Sequence, residues 1–197
     1  MNEFWNERYA DEAYAYGTEP NQFFKQKLEK LTAGKILLPA EGEGRNAVFA
    51  AKLGWEVTAF DNSSTGKEKA EKLALTNKVQ IDYQLDSYED IQFKTGEFDA
   101  LGFIFAHIHS LKRNEYHKKL ASWLKPGGIL ILEGFSKKQI HNNTGGPQNI
   151  DMLFSKAELQ TDFGDFTSLS ITETDIVIDE GKFHQGKASV IRIYGVK

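Results

Sequence analysis

The sequence has no cysteine among its 197 residues. That removes disulfides, thiolate metal sites and cysteine nucleophiles together, and it fits a reducing compartment. Positive charge is not in excess either: Lys+Arg 24 against Asp+Glu 28 leave a formal net charge of -4. No surface for gripping a phosphate backbone is expected, and nucleic acid is a poor partner. No apolar run is long enough to span a bilayer, and Met1 to Arg8 shows no basic end leading into an apolar stretch. The reading is a cytoplasmic protein with no membrane partner. Three catalytic signatures are also missing. None of the seven tyrosines is followed four positions later by lysine, the pair a short-chain dehydrogenase needs. There is no G-x-x-x-x-G-K-[ST] phosphate loop and no G-x-S-x-G nucleophile elbow, which argues against an NTPase and a serine hydrolase.

What is present fits one globular domain with a continuous core, since 40% of the residues are hydrophobic and 26% charged. Four apolar, β-branched runs, Lys35 to Leu38, Glu56 to Phe60, Val79 to Gln84 and Asp99 to Ala106, alternate with helix-like segments. That alternation predicts βαβ units and a parallel sheet. Helices are expected over Arg45 to Leu53, with Gly54 as its stop, over Lys67 to Leu75, and over Arg113 to Leu124, ending at Lys125 to Gly128. A fifth strand, Ile129 to Glu133, reads as buried on both faces. Phe135 to Ile150 is polar and rich in Gly, Asn and Gln, too long for an ordinary connection, and is expected to be a lid. Met152 to Phe163 carries a capping-box pattern, Ser155 with Glu158. Thr167 to Ile178 and Ala188 to Val196, joined by "DEGKFHQGK", predict an antiparallel pair at a sheet edge. Before the first strand, Trp5 and Tyr9 stand four apart on an expected amphipathic helix, and Tyr9 and Tyr16 are candidates for a cover over a ligand.

The chemistry concentrates in "KILLPAEGEGRNAVFAAKLGWEVTAFDNS", Lys35 to Ser63. Gly42-Glu43-Gly44-Arg45-Asn46-Ala47 satisfies G-x-G-x-x-[GA] between a strand and a helix, and Asp61 lies 61 − 42 = 19 positions after Gly42. Glycines there let the backbone approach a ligand, and the distant acid accepts from ribose hydroxyls. Glu41 and Glu43 bracket Gly42; a pyrophosphate among carboxylates is disfavoured, while an ammonium or sulfonium is favoured. Arg45, or free N–H groups of the turn, could hold a carboxylate or equally a phosphate. His107 and His109 follow the fourth strand as "AHIH", both rings on one side of an extended chain. The companions of a metallohydrolase are missing, so no metal is expected. One ring capping or packing beneath the next helix stands beside a catalytic reading, which rests on position alone.

With these residues in view, the chain resembles the class I S-adenosylmethionine-dependent methyltransferases, most closely the small bacterial group similar to tellurite-resistance and thiopurine methyltransferases. The likeness runs through "FWNERYADEAYAYGTEPNQFF", "EGEGRNAVFAAKLGWEVTAFDNS", "WLKPGGILILEGFS", "TGGPQNIDMLFSKAELQTDF" and "DEGKFHQGKASVIRI". The resemblance implies an α/β, three-layer Rossmann-like fold, a seven-stranded, mostly parallel sheet with a C-terminal antiparallel hairpin. Within one domain, 1–34 would be an aromatic-rich helical cover, 35–134 the cofactor-binding core, 135–150 the lid loop and 151–197 the last helix and hairpin. It also implies S-adenosylmethionine as cofactor, with Glu41, Gly42 and Gly44 along its methionine part and Tyr16 in the cover. Asp61 would take the ribose, Asn62 standing beside it; Asp86 and Ser87 would meet the adenine; Phe105 and Ala106 would pass the sulfonium end; and His107 would face a small-molecule methyl acceptor. The chain departs from the family's D-x-G-x-G-x-G at two places, with Leu38 for the acid and Ala40 for the first glycine. Two other functions use the same features: a nicotinamide oxidoreductase, and a cofactor-binding regulator without transfer activity.

Overall fold

The computed structural model describes residues 2–197. Thirteen helices and strands follow one another as α1 (Asn2–Arg8), α2 (Gln22–Leu28), β1 (Lys35–Pro39), α3 (Arg45–Lys52), β2 (Glu56–Asp61), α4 (Ser64–Thr76), β3 (Asp82–Leu85), β4 (Phe98–Ile104), α5 (Ser110–Ser122), β5 (Leu124–Phe135), α6 (Lys156–Asp162), β6 (Ser168–Asp179) and β7 (Gln185–Val196). One seven-stranded sheet has the order β3-β2-β1-β4-β5-β7-β6. The pairs β3-β2, β2-β1, β1-β4 and β4-β5 are parallel, and β7 runs antiparallel to both β5 and β6. The expected fold class is the observed one.

Strand alternation sorts the two faces, because successive side chains leave a strand on opposite sides. Leu37, Leu101, Leu130 and Leu132 pack with Tyr116 and Leu120 of α5 and Leu159 of α6. Ile36, Leu38, Val57, Ala59, Ala100 and Ile131 pack on the other side with α2, α3 and α4 through Phe24, Leu28, Ala47, Ala50 and Ala70. Leu38, at the family's acidic position, is therefore a core residue, fully buried. On the first face, Asp162 ties α6 to α5, accepting from Arg113 Nε (2.7 Å) and Asn114 Nδ2 (2.8 Å) and lying 2.8 Å from His117 Nδ1.

Several boundaries differ from expectation, each through local chemistry. α4 opens at Ser64 because the Ser63 hydroxyl accepts from the Gly66 N–H, and α5 opens at Ser110 because His109 Nδ1 accepts from the Leu111 N–H. β3 begins at Asp82, three residues later than its apolar run. β5 begins at Leu124 and carries the Lys125–Gly128 corner inside the strand, where the register against β4 shifts between Phe98 and Ala100. The expected capping box is present: Ser155 and Glu158 each bond the other's backbone N–H at the start of α6.

The 135–150 loop forms one short 3₁₀ turn, Lys137–His141, and a second follows at Ile150–Met152. Buried Gln139 pins it, accepting from the Ser189 N–H (2.8 Å) and donating to Gly145 O (3.0 Å), and Thr144 donates to Lys187 O (2.5 Å). Its first half is bound to β7. The tip between β6 and β7, residues 180–184, instead reaches back to the N-terminal segment. A Cβ on Gly181 would lie 2.6 Å from Ala15 O and 2.7 Å from the Gly17 nitrogen, so only glycine permits that contact.

Candidate active site

The turn after β1, the end of β2 and the end of β4 meet at one edge of the sheet, where α/β folds bind ligands. Four residues there hold φ in the left-handed region: Ala40 (49°), Gly42 (60°), Gly44 (85°) and Phe105 (50°). Ala40 and Phe105 pay a steric cost that glycine avoids, and they sit at the ends of neighbouring strands β1 and β4. Non-glycine residues held this way cluster at ligand sites. Ala40 thus keeps the backbone that the family's usual glycine provides.

Both glutamates of the turn are engaged from within. Glu41 Oε1 accepts from the Asn46 N–H (2.8 Å) and the Ala47 N–H (2.7 Å), the first free donors of α3. Burial raises its carboxyl to about 7 against those bonds. Glu43 pairs with Lys69 Nζ (2.6 Å) and accepts from the Ala15 N–H (2.8 Å). Lys69 also donates to Asp11 O and Ala13 O, both at 2.8 Å, and so ties the N-terminal cover to α4. The charge of both acids is met from within, by a helix N-terminus and a lysine. The lean away from pyrophosphate gains support, since two of the α3 donors that would hold a phosphate hold Glu41 instead.

Asp61 is 7% exposed, and burial raises its pKa. Its oxygens accept from the Gly42 N–H (3.1 Å) and the Ser63 N–H (2.9 Å), with Asn62 partly buried beside it. Over the turn lies Tyr9, stacked on Trp5 at 5.6 Å; a Cβ on Gly42 would come within 2.6 Å of its hydroxyl. Beyond β3, the Asp86 N–H donates to Asp61 O (3.0 Å) and Asp86 Oδ1 accepts from the Ser87 N–H (2.7 Å). The Ser87 hydroxyl closes its own turn, donating to Asp90 Oδ2 (2.8 Å). The next residue, Tyr88, went unread in the sequence; its ring stacks on Tyr116 at 5.4 Å and its hydroxyl is buried with no hydrogen-bond partner among the described residues.

At the end of β4 the expected pair divides. The Phe105 ring stands 4.6 Å from Phe135 and 4.8 Å from His184, whereas Ala106 is buried in the core on the α5 side. Neither ring nitrogen of His107 is free: Nδ1 lies 2.8 Å from Met152 O and Nε2 accepts from the Phe135 N–H (3.1 Å). The ring is stacked on Phe154 at 4.7 Å, and burial lowers its pKa to about 4. His107 therefore fastens the end of β5 to the turn at Met152, and its expected place facing an acceptor is corrected. Because the folded value lies below the ordinary 6.5, the neutral ring's contribution is complete above about pH 6.5 and is lost as pH falls toward 4. His107→Gln keeps a donor and an acceptor without titrating. Its urea midpoint should fall less than the wild type's between pH 6.5 and pH 4; parallel declines would refute this role.

A different histidine occupies the centre. His184, 6% exposed on the hairpin tip, has ring contacts with Tyr16 (4.5 Å), Phe105 (4.8 Å) and Phe135 (5.1 Å). Its Nδ1 faces Glu180 Oε2 at 3.6 Å. Glu180 accepts from Arg45 Nη2 (2.8 Å) and Asn21 Nδ2 (2.9 Å), and Asn21 Nδ2 also donates to buried Glu133 (2.6 Å). Burial lowers the His184 pKa, and the nearby His184 and Arg45 bring the carboxyl of Glu180 down to about 2 despite burial. Tyr16 closes this layer, its hydroxyl accepting from Arg8 Nη1 (3.3 Å). Outside it, between α1 and the tip, lies a cavity of about 370 Å³ lined by Phe4, Arg8, Tyr14, Lys182 and Phe183 among others. The only local hint of the Glu180–His184 pair was an acid and a histidine four apart in a glycine-bearing connection.

Strand order, glycine turn and strand-end acid define a class I methyltransferase fold. Residues 36–128 match the family model described as a methyltransferase domain. The chain is 32% identical over 108 residues to a ubiquinone biosynthesis O-methyltransferase of Xanthomonas oryzae pv. oryzae, covering 54% of this chain and 45% of that protein. The chain thus spans less than half the length of the curated relative it matches. In structure it is similar to a protein solved in work on conversion of a disulfide bond into a thioacetal group during echinomycin biosynthesis. That likeness has a TM-score of 0.76 and 17% identity, over 99% of this chain and 91% of the other. It is also similar to a SAM-dependent methyltransferase from Aquifex aeolicus, with a TM-score of 0.61 and 16% identity over 88% of each chain. These structural likenesses speak to fold alone, and the matches reach the class without narrowing it to the tellurite-resistance and thiopurine group.

Proposed function

We propose that this chain is a cytoplasmic S-adenosylmethionine-dependent methyltransferase acting on a small-molecule acceptor. The observation that carries the reading is the glycine turn itself. Asp61 beside the Gly42 turn suits a ribose, while Glu41 occupies two of the α3 donors that a phosphate would use. The orphaned Tyr88 hydroxyl in an aromatic setting suits a hydrogen-bonding base near Asp86, and Arg45 stands where the amino-acid end of a nucleoside cofactor would lie. The bound cofactor supplies a methyl group already activated on a sulfonium. The protein's share is alignment and exclusion of water, and the ring wall of Tyr16, Phe105, Phe135 and His184 provides both. His184 accepts the proton of an acceptor that arrives protonated. The acceptor approaches through the cavity between α1 and the hairpin tip.

The test is a thermal-shift titration with S-adenosylhomocysteine and with NAD, since a ligand that binds only the native state raises its stability. S-adenosylhomocysteine should raise the melting temperature and NAD should leave it unchanged; the reverse result would establish an oxidoreductase. Turnover on a panel of thiols, chalcogen oxyanions and hydroxylated metabolites separates an enzyme from a regulator, which would bind the cofactor and turn over none.

A further inference from the structure

The hairpin tip meets the cofactor turn through one ion pair. Arg45 follows Gly44 directly, and its guanidinium Nη2 lies 2.8 Å from Glu180 Oε2, both side chains being largely buried at 9% and 11% exposure. Nη1 donates to Tyr16 O (3.3 Å) and Glu19 O (3.5 Å), so among the described residues the only carboxylate paired with this buried cation comes from the tip. Asn21 Nδ2 also donates to Glu180 (2.9 Å), and the His184 ring packs among Tyr16, Phe105 and Phe135. Gly181 rests on the backbone of residues 15–17, Arg8 lies over the Phe183 ring at 4.0 Å, and the Glu180 N–H to His184 O bond is internal to the turn. Everything from 180 to 184 lies outside the paired strands.

We propose that Glu180 is a displaceable internal carboxylate on Arg45, a stand-in for the carboxylate at the amino-acid end of the cofactor. This rests on the cofactor reading above. A buried guanidinium left without an anion is costly, so Arg45 needs a carboxylate both before and after the ligand arrives. Exchanging one carboxylate for another meets that need, and the released Glu180 reaches water because it stands on a surface turn. The same exchange frees His184, whose Nδ1 faces Glu180, so cofactor binding and the setting of the tip become one event. Arg45 then selects ligands that carry a carboxylate over those that end at the thioether.

Two ligands separate this from simple positioning: S-adenosylhomocysteine, which has the carboxylate, and 5′-methylthioadenosine, which lacks it. In Glu180→Gln the competitor is neutral. S-adenosylhomocysteine should bind roughly ten-fold tighter than to wild type, with 5′-methylthioadenosine unchanged. In the wild type, S-adenosylhomocysteine but not 5′-methylthioadenosine should speed tryptic cleavage after Lys182, a measurement that needs no variant. Equal effects of the substitution on both ligands, or cleavage that both ligands change alike, would overturn the inference while leaving the cofactor reading intact. Binding of neither ligand to the wild type would overturn both.

Discussion

Gly44→Ala is expected to destabilise the protein by about 2–5 kcal/mol, enough to remove a large part of a typical domain's stability. Two contributions combine. The residue caps α3 with φ at 85°, a left-handed conformation that costs a residue with a Cβ about 1–2 kcal/mol. The new methyl would also lie 2.6 Å from Ala70 Cβ and 2.8 Å from Ala70 Cα, and overpacking of this kind costs about 1–3 kcal/mol. Gly54→Ala isolates the first contribution, because that residue has φ at 88° with nothing within 4 Å of the new atom. Urea midpoints at constant m-value would read both. If the two substitutions cost the same, α3 and α4 do not meet as closely as described.

His184→Ala should lower turnover about 100-fold on an acceptor that arrives protonated, the low end of what a positioned general base contributes. Binding of S-adenosylhomocysteine should change little, since the ring packs on Tyr16, Phe105 and Phe135. An acceptor already ionised at the assay pH should lose far less, because no proton has to be taken from it. The ring is neutral near pH 7, burial holding its pKa down, so wild-type turnover should fall on the acid side and the variant should lose that limb. A uniform loss on both acceptor types would assign the ring to packing.

How far the chain could be read in advance follows from the range of the interactions. The parallel sheet was legible because alternation is local: Leu37 faces α5 while Ile36 and Leu38 face α2 and α3. The capping box of Ser155 and Glu158 spans three positions and was equally plain. Asp61 was found through a fixed distance from Gly42 that the βαβ unit imposes. The chemistry of Glu43 was not legible, since its partner Lys69 lies on the next helix, and neither residue type announces the pairing. The Glu180–Arg45 pair spans 135 positions, and only the return of β7 beside β5 brings them together. His107 misled for the converse reason: its position at the end of β4 was right, but Met152 and Phe135 claim both nitrogens from distant loops.

Glu41 gives the turn a property its glycine spacing conceals. By resting on the Asn46 and Ala47 donors it satisfies two N–H groups at the start of α3, so a nucleotide phosphate seeking those donors would have to displace a side chain already in place. Discrimination of this sort requires no contact with the ligand that is turned away.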